Sequence, residues 1–165
     1  GPAPAGKPRG RAVETEELSE LAPAPTLVSG ARGRELFSGA NRLLLGADGE
    51  TPDSFSHEQH LLIREGGRRV LIAGCCHCGI VNILARLAEL EPEPPDAVIG
   101  GFHLAVPGTG ELDEALVDGV AARLLALPGT RYYTGHCTGL ASYARLKEKM
   151  GQRVAYLHAG ETLEL

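Results

Sequence analysis

Aromatic residues are scarce in this chain of 165 residues. It contains no Trp, three Phe, four Tyr and one Met. A hydrophobic core must therefore be built from aliphatic side chains, which supply most of the 43% of residues that are apolar. The 22 Gly and 11 Pro indicate many turns. The length suits one domain, or one part of a larger domain.

Long apolar runs and an excess of positive charge are also missing. No stretch approaches the roughly 20 consecutive apolar residues that a membrane-spanning helix needs. Sixteen basic and 21 acidic residues give a formal net charge of −5. Surfaces that bind nucleic acid or anionic membranes are usually basic. We therefore expect neither nucleic acid nor a membrane as a partner, and we expect a cytoplasmic protein.

Cysteines are few, and three of the four lie close together. Cys75, Cys76 and Cys78 fall within four positions, whereas Cys137 is distant in sequence. Cysteines in one turn cannot connect distant segments without distortion, so a disulfide framework is excluded. Metal binding or a reducing compartment explains this pattern better.

The hydrophobic pattern predicts alternating strands and helices from Phe55 onward. Before that point, residues 1–34 are rich in Pro, Gly and Ala and are predicted to form an extended or partly disordered arm. A helical turn at residues 14–21 and a short strand at residues 43–45 are also predicted. The following residues, 35–165, are predicted to form the α/β domain.

Within this domain, a β-hairpin is predicted at residues 61–73, with Gly66 and Gly67 in the turn. Apolar residues at helical spacing predict helices that end at Pro or Gly. The predicted helices cover residues 80–90, 112–127 and 140–150, and the further strands cover residues 97–99, 131–134, 154–157 and 162–165. This order requires a mixed sheet covered by helices.

Three histidines directly follow predicted strands of this sheet. They are His77, His103 and His136. Ligands of open α/β sheets bind at the carboxyl ends of strands, so we expect the three side chains to converge. His and Cys are preferred ligands of zinc. Since a single histidine is more often structural, we expect structural roles for the other three, which are His57, His60 and His158.

Two further interpretations of the cysteines stay open. Cys75 and Cys78 have the Cys-x-x-Cys spacing of a redox pair at the start of a helix. The same pair could form half of a structural zinc site that His136 and Cys137 complete. Cys76 could be a small buried apolar residue.

Four motifs in order carry a resemblance to a known family. They are Asp53-x-Phe55-x-x-Glu58-x-x-Leu61, Gly74-Cys75-Cys76-His77-Cys78-Gly79-Ile80-Val81-Asn82-Ile83, Gly100-Gly101-Phe102-His103-Leu104 and His136-Cys137-Thr138-Gly139. From about Leu27 to the C-terminus, the chain resembles the metallo-β-lactamase-fold family related to 7,8-dihydropterin-6-methyl-4-(β-D-ribofuranosyl)aminobenzene-5′-phosphate synthase. Cys76 and Cys78 stand where this family usually carries Ser and Ala.

This resemblance implies an αββα sandwich and a centre of one or two metal ions that activates water. It implies a metal-dependent hydrolase, or an enzyme acting on a phosphate ester or a pterin, with a small-molecule substrate. His77, His136 and Cys75 are the implied metal ligands, and it stays open whether Cys75 or His77 is the ligand at the cysteine cluster. The expected metal is zinc, with manganese or iron as alternatives. His103 is the implied catalytic residue, and Glu58 or Asp53 would orient a ligand.

The superfamily's His-x-His-x-Asp-His motif, which supplies most of the metal ligands, is missing. Residues 1–56 contain no histidine. The chain therefore resembles the C-terminal half of the fold, a mixed sheet with helices on one face. We expect a complementary N-terminal half or partner chain. Without it, the chain should self-associate or fold only in part, and it should show negligible activity. Leu61, Ile63, Leu71 and Val98 are candidates for the uncovered sheet face. The alternative is a non-catalytic metal-binding or interaction module with a structural zinc site of Cys75, Cys78, His136 and Cys137.

Overall fold

The computed structural model of the chain describes residues 25–106 and 111–165. Six strands form one sheet in this part of the chain. The strands are β1 (Thr26–Ser29), β2 (Gln59–Glu65), β3 (Arg68–Ile72), β4 (Ala97–Gly100), β5 (Arg131–Thr134) and β6 (Val154–Tyr156). The α-helices are α1 (Ile80–Leu90), α2 (Glu114–Leu125) and α3 (Leu140–Met150), and short 3-10 turns cover Gly39–Leu43, His136–Thr138 and Gly151–Arg153. No helix of the described residues is long and apolar enough to cross a membrane.

The strands follow one another across the sheet in chain order. The first three pair antiparallel, and β3 to β6 pair parallel. Each parallel connection contains one α-helix. Because such crossovers are right-handed and all step in the same direction, the three helices lie on one face of the sheet. The prediction of a mixed α/β sheet with helices on one face is confirmed.

The hydrophobic core lies between this face and the helices. The sheet contributes alternate residues that are fully or almost fully buried, which are Val28, Leu62, Leu71, Val98, Tyr132 and Val154. Helix α1 contributes Ile80, Ile83 and Leu87 at helical spacing. Each aliphatic side chain buried in this way stabilises the fold by about 1.5–3 kcal/mol. The largest member, Tyr132, also keeps its hydroxyl satisfied by donating to the Leu124 carbonyl at 2.8 Å.

An apolar row crosses the opposite face of the sheet. We call it the outer row, and its members are consecutive register partners: Leu27, Leu61, Ile72, Ile99, Tyr133 and Ala155. Leu27 remains 54% exposed and Ile72 36% exposed. The predictions for this face were half right. Leu61 and Ile63 lie on it, but Leu71 and Val98 alternate to the helix-covered face and are buried.

Three predicted elements differ from the structure. Residues 43–45 do not form a strand, because the segment begins as a 3-10 turn capped by Ser38 and only Leu45 pairs, with Pro52. No strand covers residues 162–165. The arm predicted at residues 1–34 contains β1, in which Val28 is fully buried. The helical turn predicted at residues 14–21 lies outside the described residues.

Candidate metal centre

The turns that follow β3, β4 and β5 bring His77, His103 and His136 to one edge of the sheet. These strands run parallel, so their carboxyl ends share that edge. The rings of His77 and His103 meet edge to face, with centroids 4.4 Å apart. His77 and His136 both influence the protonation of His103 electrostatically, so the three imidazoles form one neighbourhood.

Glu58 fixes the turn that carries His77. Its carboxylate accepts hydrogen bonds from the backbone N–H groups of His77 at 2.7 Å and Cys78 at 2.9 Å. Burial opposes its ionisation, but these two bonds hold the pKa of Glu58 below its ordinary value. The same carboxylate lies 3.0 Å from Nδ1 of His77. Because Nδ1 lies beside this carboxylate, Nε2 is the nitrogen that is open to a ligand.

Asp53, the other residue expected to orient a ligand, is used differently. Its carboxylate accepts from the backbone N–H of Phe55 at 2.7 Å and lies 3.9 Å from Nδ1 of the exposed His57. Phe55 has a left-handed backbone, with φ of 54°. Its ring stacks on the His77 ring, with centroids 5.1 Å apart. Asp53 thus shapes the segment that covers His77.

Two asparagines that the sequence analysis did not single out also support this turn. Asn41 donates to the His77 carbonyl at 2.7 Å. Asn82, on α1, donates to the carbonyls of Cys78 at 2.8 Å and Glu35 at 3.0 Å, and accepts from the Glu35 N–H at 3.1 Å. Asn82 belongs to the second motif, so a signal for it existed. Asn41 lies in a segment without a motif.

Two glycines make the turn after β4 possible. A Cβ on Gly100 would lie 2.4 Å from the Ala73 carbonyl oxygen, and one on Gly101 would lie 2.5 Å from Sγ of Cys137. The following His103 has a left-handed backbone, with φ of 48°. Only 7% of it is exposed, and neither ring nitrogen has a hydrogen-bond partner among the described residues. Burial, reinforced by His77 and His136, lowers the pKa of His103 to about 4.

The turn after β5 carries His136, Cys137 and Thr138. Thr138 joins it to the neighbouring turn, because its hydroxyl accepts from the Phe102 N–H at 2.9 Å and lies 2.5 Å from the Thr134 hydroxyl. His136 has a φ of 49°. This conformation is rare for residues other than glycine and is found preferentially at functional sites.

One group of side chains whose donor atoms could hold a metal ion lies at this edge in the described part of the chain. The donor atoms of Cys75, His136 and Cys137 all lie within 4.8 Å of one another. Sγ of Cys137 also donates to the Cys75 carbonyl at 3.5 Å, and burial raises the pKa of Cys137 to about 12. The structure thus brings together two of the three predicted ligands, Cys75 and His136, and adds Cys137. His77 lies outside this group, against Glu58 and His103.

The other two cysteines point into the protein. Cys76 and Cys78 are each 1% exposed. The Cys76 thiol donates to the Gly74 carbonyl at 3.8 Å, and the Cys78 thiol donates to the Phe55 carbonyl at 3.6 Å. Burial raises the pKa of Cys78 to about 11 and that of Cys76 well above its ordinary value. The interpretation of Cys76 as a small buried residue is therefore confirmed. The four-ligand zinc alternative lacks Cys78, which is outside the donor group.

The remaining histidines are absent from the donor group of the described residues. His57 and His158 are exposed. His60 is 3% exposed on the helix-covered face of β2, and both of its ring nitrogens lack a hydrogen-bond partner in the described part of the chain. Burial lowers its pKa, although the nearby Glu58 charge acts in the opposite direction.

Comparison with solved structures defines the class of protein. The chain is similar over 88% of its length to the crystal structure of Tm1679, a metal-dependent hydrolase of the β-lactamase superfamily, with a TM-score of 0.66 and 26% sequence identity. The match covers 55% of that structure's chain. Together with the order of strands and helices, this similarity gives the chain a metallo-β-lactamase-superfamily fold.

A curated protein gives a more particular relationship. The chain is 29% identical over 96 residues to 7,8-dihydropterin-6-methyl-4-(β-D-ribofuranosyl)-aminobenzene-5′-phosphate synthase from Methanocaldococcus jannaschii. This match covers 58% of the chain and 31% of the synthase, so the chain spans about a third of that relative. No family model matches the sequence. The relationship inferred from the four motifs is confirmed.

Proposed function

We propose that this chain is the C-terminal half of a metal-dependent hydrolase whose site is completed by a complementary N-terminal half. The observation that carries the proposal is His103, a buried imidazole without a hydrogen-bond partner that lies between the turns of His77 and His136. A buried polar group without a partner costs about 1–3 kcal/mol. His60 carries the same cost inside β2, so the position of His103 next to His77 is what favours a functional role for it.

In this proposal, His77, His136 and Cys75 contribute this half's metal ligands. Their nitrogen and sulfur donors suit zinc better than manganese, while iron is the other alternative. Glu58 would orient His77, as carboxylates commonly do for metal-binding imidazoles. A divalent cation supplies Lewis-acid activation of water at neutral pH. The chain's own contribution is to hold the donors in the two turns that follow β3 and β5.

His103 is the proposed catalytic residue. A histidine with a pKa of about 4 is neutral near pH 7, so one of its nitrogens can donate a hydrogen bond and the other can accept one. Its ring is adjacent to His77 and therefore next to the proposed ligands. We infer that it donates a hydrogen bond to an oxygen of the substrate, because so weakly basic an imidazole is a poor proton acceptor at neutral pH.

The proposed substrate is a small molecule that contains a phosphate ester or a pterin. The support comes from the name of the curated relative, which describes a dihydropterin derivative with a 5′-phosphate.

The proposed location is the cytoplasm. Four free cysteines support such a reducing environment.

The need for a complementary half is supported by the outer row and by the missing His-x-His-x-Asp-His motif. Domains bury the apolar face of a sheet against a second layer, and the outer row still offers partly exposed Leu27 and Ile72. A second sheet that covers this face would complete the αββα sandwich. The same half would carry the remaining metal ligands.

Complementation tests this function. The chain is co-expressed with an N-terminal segment that bears His-x-His-x-Asp-His, and zinc content and hydrolysis of bis(4-nitrophenyl) phosphate are measured. We expect a monodisperse complex with bound zinc and activity that EDTA abolishes. The chain alone should show negligible activity with added zinc or manganese. A stable monomer that hydrolyses such esters by itself would contradict the proposal.

A second candidate is a non-catalytic metal-binding or interaction module. The compact group of Cys75, His136 and Cys137 favours it, because soft ligands of this kind also build structural zinc sites. A complemented complex that binds zinc firmly but hydrolyses neither phosphate nor carboxylate esters would support this second candidate.

A further inference from the structure

The metal-binding side chains at the sheet edge fall into two sets. The first set is the imidazole pair of His77 and His103, with Glu58 behind His77. The second set is the group of Cys75, His136 and Cys137, which we call the thiol group. The donor atoms of His77 are not among those that lie within 4.8 Å of one another in the thiol group, although His77 lies in the same turn as Cys75.

We propose that the thiol group binds one zinc ion at a position of its own, separate from the imidazole pair, and that Cys137 is one of its ligands. This inference rests on the metal centre of the proposed function, but it changes the ligand set. It adds Cys137, and it assigns His77 to a second position beside His103.

The distances in the thiol group suit such a position. Zinc binds sulfur at about 2.3 Å and nitrogen at about 2.0–2.1 Å, so neighbouring donors of a tetrahedral ion are roughly 3.5–3.8 Å apart. The three donor atoms already lie within 4.8 Å of one another. The donor atoms therefore need to approach one another by only about 1 Å to reach the spacing of zinc ligands.

The protein provides a prepared space for Cys137. Gly101 has no side chain at the point where its Cβ would lie 2.5 Å from Sγ of Cys137. The Cys137 carbonyl accepts from the Ala105 N–H at 3.2 Å, and the Thr138 hydroxyl ties the same turn to Phe102. A thiol with an ordinary core role would not require contact with a second half-buried cysteine at the rim of the sheet.

The chemistry of the group favours zinc over manganese. Two thiolates balance the charge of a divalent cation, and sulfur ligands select softer ions, whereas manganese prefers oxygen. Three protein ligands leave a fourth tetrahedral position, as in open zinc sites. A ligand from the complementary half or a water molecule can fill it.

Cobalt substitution in the full chain tests the proposal. Thiolate ligands give Co²⁺ an intense charge-transfer absorption whose strength follows the number of sulfur atoms bound. We expect Cys75→Ala and Cys137→Ala each to remove about half of this absorption. Cys76→Ala is the matched control, because its thiol is buried and outside the group, and it should keep the full absorption. Full absorption in Cys137→Ala would overturn the proposal.

Alkylation of the unaltered chain gives a second measurement that does not depend on any variant. Zinc should protect the half-buried Cys75 from iodoacetamide, and a chelator should restore its labelling. Cys76 and Cys78 serve as internal reporters of folding, because burial protects them with or without metal. Equal labelling of Cys75 with and without zinc, while the two reporters stay protected, would overturn the proposal.

The results separate this inference from the proposed function. Zinc-dependent hydrolysis by the complemented complex, combined with unchanged cobalt absorption in Cys137→Ala, would reject only the thiol position. Thiol-bound cobalt in a complemented complex without hydrolase activity would support the thiol position and reject the hydrolase.

Discussion

At the scale of single residues, Glu58 shows how one side chain supports both structure and site. It satisfies two backbone N–H groups of the turn after β3 and also contacts Nδ1 of His77. The turn contains Cys76, with φ of 56°, so its backbone is held in a conformation that is unfavourable for most residues. The hydrogen bonds to Glu58 offset this cost.

The first prediction concerns Glu58→Gln. A Gln side chain offers only one carbonyl oxygen, so one backbone N–H of the turn loses its partner and His77 loses its orienting charge. We expect the free energy of unfolding to fall by about 1–3 kcal/mol and zinc affinity to fall roughly 10–100-fold. Urea denaturation and competition with a chelator measure the two effects.

Glu161→Gln is the matched control for this prediction. Glu161 also accepts a hydrogen bond from the backbone N–H of a histidine, His158, but it is exposed and is not part of the group of Cys75, His136 and Cys137. Its substitution should change neither quantity measurably. Zinc affinity that is the same in both variants would show that Glu58 has only a structural role.

The second prediction concerns the proposed histidine ligands. His77→Ala and His136→Ala should each lower the zinc or manganese content of the assembled protein, because loss of a direct ligand weakens an open site. The decrease should be at least tenfold in affinity, whereas the exposed His158→Ala should retain the metal. Metal analysis after dialysis measures the content. Equal metal content in the three variants would remove both residues from the ligand set.

At the scale of secondary-structure elements, strand β2 is destabilised by the burial of one polar side chain, His60. Its alternation places His60 on the helix-covered face, opposite Val28 of β1. The imidazole is buried without a hydrogen-bond partner among the described residues. Because charging it there is unfavourable, its pKa lies below the ordinary value of 6.5. The strand is therefore least stable under acidic conditions.

The third prediction follows from this shift. The unfolded chain takes up a proton at His60 near pH 6.5, but the folded chain does so only at lower pH, so stability must fall as pH decreases below 6.5. His60→Leu should reduce this loss and raise the free energy of unfolding at neutral pH by about 1–2 kcal/mol. Urea denaturation at pH 7.5 and pH 5 measures both effects.

His103 contributes in the same direction, since its pKa is lowered to about 4. Some pH dependence will therefore remain in His60→Leu. Replacement of the exposed His57 by Gln is the control and should leave the dependence unchanged. If His60→Leu lost as much stability as the unaltered protein between pH 7.5 and pH 5, His60 would not be the cause.

The elements also show which parts of the fold are encoded locally. The predicted bounds of α1, α3 and β5 agree with the structure, because each apolar pattern is local and a Pro or Gly follows each segment within two residues. Strand β1 was not predicted as a strand, because only one of its four residues, Val28, is buried, and its extended form depends on pairing with β2. Residues 162–165, which were predicted to form a closing strand, have a similar composition but pair with no strand in the described part of the chain.

The candidate site was predictable in part: the convergence of the histidines could be predicted, but the directions of the cysteines could not. Parallel strands dictate that His77, His103 and His136 share one edge, so their convergence follows from the order of the elements. The directions of the individual cysteines do not follow from that order. Cys76 has a left-handed backbone, and the buried and rim positions in its turn depend on contacts with Glu58 and Phe55. The partnership of Cys75 with Cys137 therefore required the three-dimensional structure.

At the scale of the whole molecule, the two faces of the sheet differ in their environment. One face is covered by three helices and contains the buried core, whereas the outer row on the other face stays partly exposed. An apolar row that extends across six strands provides a continuous surface for another sheet. In its absence, two copies of the chain can cover each other's rows, since burial of apolar surface drives association.

The fourth prediction is therefore that the chain alone self-associates through the outer row. Ile72→Glu should weaken this association at least tenfold, because it places a charge near the middle of the row at a side chain that is already 36% exposed. Leu140→Glu is the matched control, since Leu140 is 72% exposed and lies on α3, away from the outer row. Sedimentation velocity over a range of concentrations measures the association, and circular dichroism checks that both variants stay folded.

The same Ile72→Glu substitution should weaken binding of the complementary half, because a second copy of the chain and the complementary half would use one surface. A chain that stays monomeric before any substitution, or that associates equally in both variants, would show that the outer row is not the surface that drives assembly.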